Sequence, residues 1–120
     1  MRRQWTLYLF ALSVVPGVTR IALAAETTFT TIDFPGAIAT IALDINAAGD
    51  VVGQYRDTNG PIHGWLLSGG DFTAIDVPGA TVTGAAGINP RGDIVGLYKD
   101  TSSTGPWLPV KQTKGDNDND

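Results

Sequence analysis

One phrase occurs twice in this chain, and it limits what the chain can become. Residues 29–58 read FTTIDFPGAIATIALDINAAGDVVGQYRDT and residues 72–101 read FTAIDVPGATVTGAAGINPRGDIVGLYKDT, an ungapped offset of 43 with 18 of 30 positions identical. Identity at a fixed period marks an internal repeat, so the two copies must share one local structure. That requirement decides an ambiguous stretch. Residues 37–45 (AIATIALDI) read alone suit a helix, but their twin, residues 80–88, carries Gly84, Gly87 and several β-branched residues. Strand is the assignment both copies can hold.

The remaining pattern is also β. Residues 29–34 are rich in β-branched and aromatic side chains and stop at Pro35-Gly36, where proline cannot donate to a ladder and glycine allows a turn. Asn46-Ala47-Ala48-Gly49 and Asn89-Pro90-Arg91-Gly92 place Asn first and Gly fourth, as in a type I turn closing a hairpin, and Pro90 suits the second position. Residues 50–55 and 93–98 then read as strands, each with an internal glycine, Gly53 or Gly96, that marks a bulge or a close backbone approach. A turn at residues 57–61 precedes a further strand at residues 62–67, whose twin is expected around Trp107 after a one-residue deletion, demoted to an edge by Pro106 and Pro109.

The expected fold is therefore all-β: two tandem four-stranded antiparallel units of about 43 residues, each the size of a β-propeller blade. The repeat units are expected at 29–71 and 72–109 within a domain spanning residues 25–110, and the polar residues 111–120 read as a disordered tail. About three stacked units usually make a stable array. Two leave a choice between a homo-oligomer that completes a ring and a small sandwich or barrel closing on itself; a fragment that does not fold alone is the third option.

Ahead of the repeats, Arg2 and Arg3 precede an uncharged apolar run over residues 5–15, short for a bilayer span but suited to a signal peptide. Residues 1–24 are read as that signal, cleaved after Ala24 or Ala25, so the protein is expected to be secreted or periplasmic with no stable membrane anchor afterwards; an uncleaved anchor is the competing reading. Without Arg2, Arg3 and Arg20, five of the eight Lys/Arg remain against twelve Asp/Glu, a net of −7. That balance disfavours nucleic acid and anionic lipid as partners. The chain has no cysteine, which excludes disulfides, thiolate metal sites and a cysteine nucleophile.

Candidate chemistry is sparse. His63 is the only histidine and has no nucleophile or metal-ligand partner at a motif spacing, which points to a structural hydrogen-bonding role. Residues 44–50 faintly resemble a calcium loop, but the second copy has Gly87 in place of Asp44 and Pro90-Arg91 further on. Asp33 and Asp76, each two residues before a Pro-Gly pair's proline, are read as caps accepting turn N–H groups. Arg91-Gly92-Asp93 spells an adhesion tripeptide, yet the first copy has Ala48-Gly49-Asp50, so the arginine is one variable turn residue. Trp65 and Trp107 are candidate sugar-stacking platforms, although recurring aromatics more often pack between sheets.

These residues resemble the HAF-type repeats of predicted extracellular bacterial proteins. There, a phrase like residues 29–37 or 72–80 leads to one like residues 45–55 or 88–98, and then to a His-small-aromatic triplet, matched here by His63-Gly64-Trp65. The second triplet departs, reading Gly105-Pro106-Trp107. The resemblance implies an exported repeat protein, usually with more than two copies. Together these readings favour a non-catalytic binding or scaffolding module that needs no cofactor and no metal. A lectin-like oligomeric propeller that binds an extracellular glycan is the alternative. A hydrolase, needing convergence of Asp33, Asp57, Asp76 and Asp100, ranks last.

Overall fold

The computed structural model describes residues 26–101 and 105–115. They fall in two compact units that divide after Thr30, and every strand belongs to the second, Thr31–Asp120. The expected signal segment lies outside the described residues, as does the end of the tail. All regular elements among the described residues are strands: β1 (Ala39–Ile45), β2 (Val51–Arg56), β3 (Ile62–Ser68), β4 (Asp71–Ile75), β5 (Val82–Ile88), β6 (Ile94–Lys99) and β7 (Leu108–Gln112). They form two antiparallel sheets, one ordered β1-β2-β3-β4 and the other β5-β6-β7. The all-β expectation holds.

The repeat is built twice at the level of single hydrogen bonds. Phe34 N–H donates to Thr40 Oγ1 at 3.0 Å and Val77 N–H to Thr83 Oγ1 at 3.1 Å. Gly49 N–H reaches Asn46 O at 3.0 Å and Gly92 N–H reaches Asn89 O at 2.9 Å, closing the two expected hairpin turns. A bulge interrupts β1 between Ala42 and Asp44, and its copy interrupts β5 between Ala85 and Gly87. The recurring strand glycines follow from it. A Cβ on Gly53 would run into the Ile41 carbonyl oxygen, and one on Gly96 into that of Gly84. Only a residue without a side chain lets the bulged neighbour approach so closely.

Three expectations need correction. Residues 29–34 form no strand, whereas their twin supplies β4, which pairs with β3 of the preceding repeat. A strand persists only with a ladder partner, and residues 29–34 have none among the described residues. The sheets therefore hold four and three strands rather than four each, and the last strand of the first sheet belongs to the second repeat. Second, the polar stretch from Lys111 is ordered at its start: β7 runs to Gln112, and Lys114 N–H donates to Asp93 Oδ1 at 2.9 Å. Composition reads such a segment as tail because ladder bonds do not depend on apolar side chains.

Third, Trp107 is not the counterpart of Trp65. Gly53 pairs with Trp65 in β3, and its repeat equivalent Gly96 pairs with Val110 in β7, so Val110 stands at the place of Trp65 and Leu108 at that of His63. The ladder sets this register, and the shared letter W concealed it.

Successive side chains alternate between the two faces of a strand. Val52 and Leu66 point to one face of the first sheet and meet Ala85, Ile88 and Ile94 of the second, with Ile75 from β4; this is the core. Trp65 and Tyr55 point to the opposite face.

Candidate functional site

That opposite face carries an aromatic cluster that positions the only histidine. Phe34 stacks on Tyr55 with ring centroids 3.8 Å apart and meets Phe72 edge-on at 5.4 Å; Trp65 meets Phe72 edge-on at 5.6 Å. Tyr55 in turn stacks on His63 at 4.9 Å, its cross-strand neighbour in the β2–β3 ladder. The imidazole lies between two carboxylates, with Nδ1 2.7 Å from Asp76 Oδ1 and Nε2 2.7 Å from Asp57 Oδ2. Asp57 comes from the turn after β2, and Asp76 follows β4, so this clamp exists because β4 of the second repeat completes the first sheet.

Two short contacts to acceptor-only groups call for N–H on both ring nitrogens. Partial burial alone would lower the His63 pKa, but the hydrogen bonds and charges of Asp57 and Asp76 outweigh it and hold the pKa above its ordinary value. The bond to His63 is also the main cause that draws the Asp57 pKa below normal. Desolvation, with the nearby carboxylates of Asp76 and Asp57, raises that of Tyr55. A doubly hydrogen-bonded imidazolium has no lone pair with which to accept a proton, so the arrangement acts as an ionic clasp. Its carboxylates sit at opposite nitrogens and do not converge on one metal position.

Sequence reasoning assigned His63 a hydrogen-bonding role but missed its partners, which are 6 and 13 residues away on two turns. Of the four aspartates considered for hydrolysis, two share a partner. Asp57 and Asp76 meet on His63, while Asp33 Oδ1 accepts from the Thr40 hydroxyl at 3.2 Å. The capping role assigned to Asp33 and Asp76 falls instead to Thr40 and Thr83, whose hydroxyls take the turn N–H groups. In the calcium-like loop, Asp44 accepts from Ile45 and Ile88 N–H, and Asp50 from Ser68 Oγ and Asn46. Asp93 of the adhesion-like tripeptide is buried, accepts from Lys114 N–H and Asn89, and is held below the usual carboxylate range mainly by that Lys114 bond.

Of the two stacking candidates, Trp65 is fully buried, which agrees with the packing reading and removes the alternative of an exposed platform: Phe72 meets it edge-on and Gly53 approaches it closely. Trp107 is 49 % exposed, with Lys99 Nζ 5.1 Å above its ring.

The replacement of Trp65 by Val110 leaves a cleft in the second repeat. It measures about 360 Å³ and is lined by Val77, Pro78, Thr83, Gly96, Val110 and Gln112, among others. Val77 holds the place of Phe34, as Val110 holds that of Trp65, so two small side chains stand where the first repeat has two large rings. No family model, curated protein or solved structure matches the chain.

Proposed function

We propose that this chain is an exported, non-catalytic module of the HAF repeat type that acts by binding or scaffolding outside the cytoplasm. The observation that carries the reading is the mutual satisfaction of Asp57, His63 and Asp76, which leaves the sole histidine no proton-accepting nitrogen. A scaffold built of stacked repeats also accounts for the duplicated hydrogen-bond pattern, which preserves backbone geometry and not a reactive group. The test is to incubate the purified chain with isolated cell-surface polysaccharide and follow adsorption and turnover in the same sample. Adsorption without released product supports the reading. Turnover that His63→Asn abolishes would move the protein to the hydrolases.

The glycan-binding alternative is favoured by one observation, the half-exposed Trp107 ring. On that reading Trp107→Ala loses adsorption and keeps its unfolding midpoint.

A further inference from the structure

We propose that residues 29–32 of one copy of the chain add as a fourth strand to the open edge of β7 in a second copy, seating Phe29 in the cleft beside Val110. The inference deepens the scaffolding reading and rests on it. Three observations at separate places in the chain meet in it. Among the described residues the second sheet has no strand beyond β7, where the first continues into a fourth strand. The phrase that makes that fourth strand, residues 71–75, has its twin at residues 28–32, which pair with nothing among the described residues. The cleft lies where the missing strand would place a phenylalanine.

The register follows from the complete sheet. There Leu67 pairs with Phe72, Leu66 with Thr73 and Trp65 with Ala74. Carried over through the glycine equivalence, this sets Phe29 opposite Gln112, Thr30 opposite Lys111 and Thr31 opposite Val110. In the first sheet the Phe72 ring packs against Phe34 and Trp65. Phe29 would meet their counterparts Val77 and Val110, both of which line the cleft. Phe29 is 93 % exposed, an apolar anchor that none of the described strands covers. Pro109 offers no N–H to the new ladder, so the added strand relies on Lys111 and on carbonyl groups at that edge.

The second copy is the partner because each copy carries, among its described residues, both a β7 edge with no strand beyond it and the unpaired twin of the strand that fills the equivalent edge of the first sheet. Where β4 pairs with β3, the strand that follows it, β5, covers Val52 completely. Val95, the repeat counterpart of Val52, is 50 % exposed, and Leu97 beside it 44 %. After strand donation, β1 of the incoming copy would lie over them as β5 lies over Val52. Such a head-to-tail contact closes into rings or runs on as filaments. The recognition mode is β-strand addition, in which backbone bonds give affinity and a side-chain pocket gives specificity.

The chain lacks cysteine, so paired substitutions report the register directly. One preparation carries Thr31→Cys and another Val110→Cys, and the two are mixed under mild oxidation. The expected product is a covalent dimer joining one chain of each kind, because residues directly opposite on antiparallel strands bring their Cβ atoms within about 5.5 Å. A third preparation carries both substitutions; a disulfide within a single chain there would overturn the proposal, as would cross-linking no greater than that of Thr31→Cys mixed with Thr58→Cys. Alongside, the mass of the unmodified chain in solution should exceed that of one copy. Phe29→Asp should weaken self-association about 30-fold, the loss expected for a buried aromatic anchor, with the unfolding midpoint unchanged at dilutions where both are single chains. A single-copy mass at all concentrations overturns strand donation while leaving adsorption to polysaccharide, and so the scaffolding reading, intact.

Discussion

Asp44 Oδ2 accepts the backbone N–H of Ile88 at 2.9 Å, while its Oδ1 accepts that of Ile45, the residue 43 positions earlier in the same place of the repeat. One carboxylate thus ties equivalent points of successive repeats together at the bulge. Asn46 Nδ2 adds a second tie by donating to Asn89 O at 3.0 Å. The position of Asp44 in the second repeat is Gly87, which has no side chain to reach onward.

Asp44→Ala should therefore loosen the two sheets from each other. It leaves the part-buried Ile88 N–H without its acceptor, at a cost of about 1–3 kcal/mol. Asp44→Asn keeps an acceptor and should lose less. Urea unfolding of both variants, read as shifts in midpoint at constant slope, checks the order; equal losses would remove the role assigned to the carboxylate.

The two tryptophans should separate cleanly by stability. Trp65→Ala empties a fully buried site and is expected to cost about 3–5 kcal/mol, or to prevent folding. Trp107→Ala removes a half-exposed ring outside every strand and should stay within about 0.5 kcal/mol. Thermal unfolding distinguishes them, and comparable losses would contradict the burial described.

Gly53→Ala and Gly96→Ala should both be severe, since the added methyl meets a backbone carbonyl that no rotamer change can move. The expected readout is loss of soluble, folded protein or a stability lowered by at least about 2 kcal/mol. Gly60→Ala, where the new methyl has open space, is the contrast; its cost comes only from the positive φ of 107°.

The ionic clasp makes stability depend on pH in both directions. His63 has a folded pKa above its ordinary 6.5, so its contribution is complete below that value and is lost as pH rises through the folded pKa. Asp57 has a folded pKa below its ordinary 3.8, so its contribution is present above that value and is lost as pH falls through the folded pKa. The unfolding midpoint should decline on the alkaline side of pH 6.5, and His63→Leu, which installs the residue the second repeat has at this place, should flatten that limb. An unchanged alkaline limb in His63→Leu would show that the decline arises elsewhere.

Much of the fold was legible because the repeat supplied each stretch with a control. Gly84 and Gly87 settled the character of residues 37–45, and Asn46 and Gly49 announced their turn. What escaped was everything set by pairing between distant strands. Residues 29–34 and 71–75 share a phrase but not a partner, so the same letters give coil in one place and strand in the other. Trp107 matched Trp65 in type while the ladder matched Val110 instead. His63 was visible as the sole histidine, yet its two carboxylates arrive on separate turns, and no linear spacing encodes that meeting.

Because β4 crosses from the second repeat into the first sheet, the segment that is copied in the sequence is not the segment that folds as a sheet. A duplication event that inserts another 43 residues in frame would therefore add one complete sheet in the interior, its fourth strand supplied by the repeat that follows it. The boundary at which the sequence repeats therefore differs from the boundary at which a sheet is complete, so a truncation placed between repeats takes a strand away from the sheet before it.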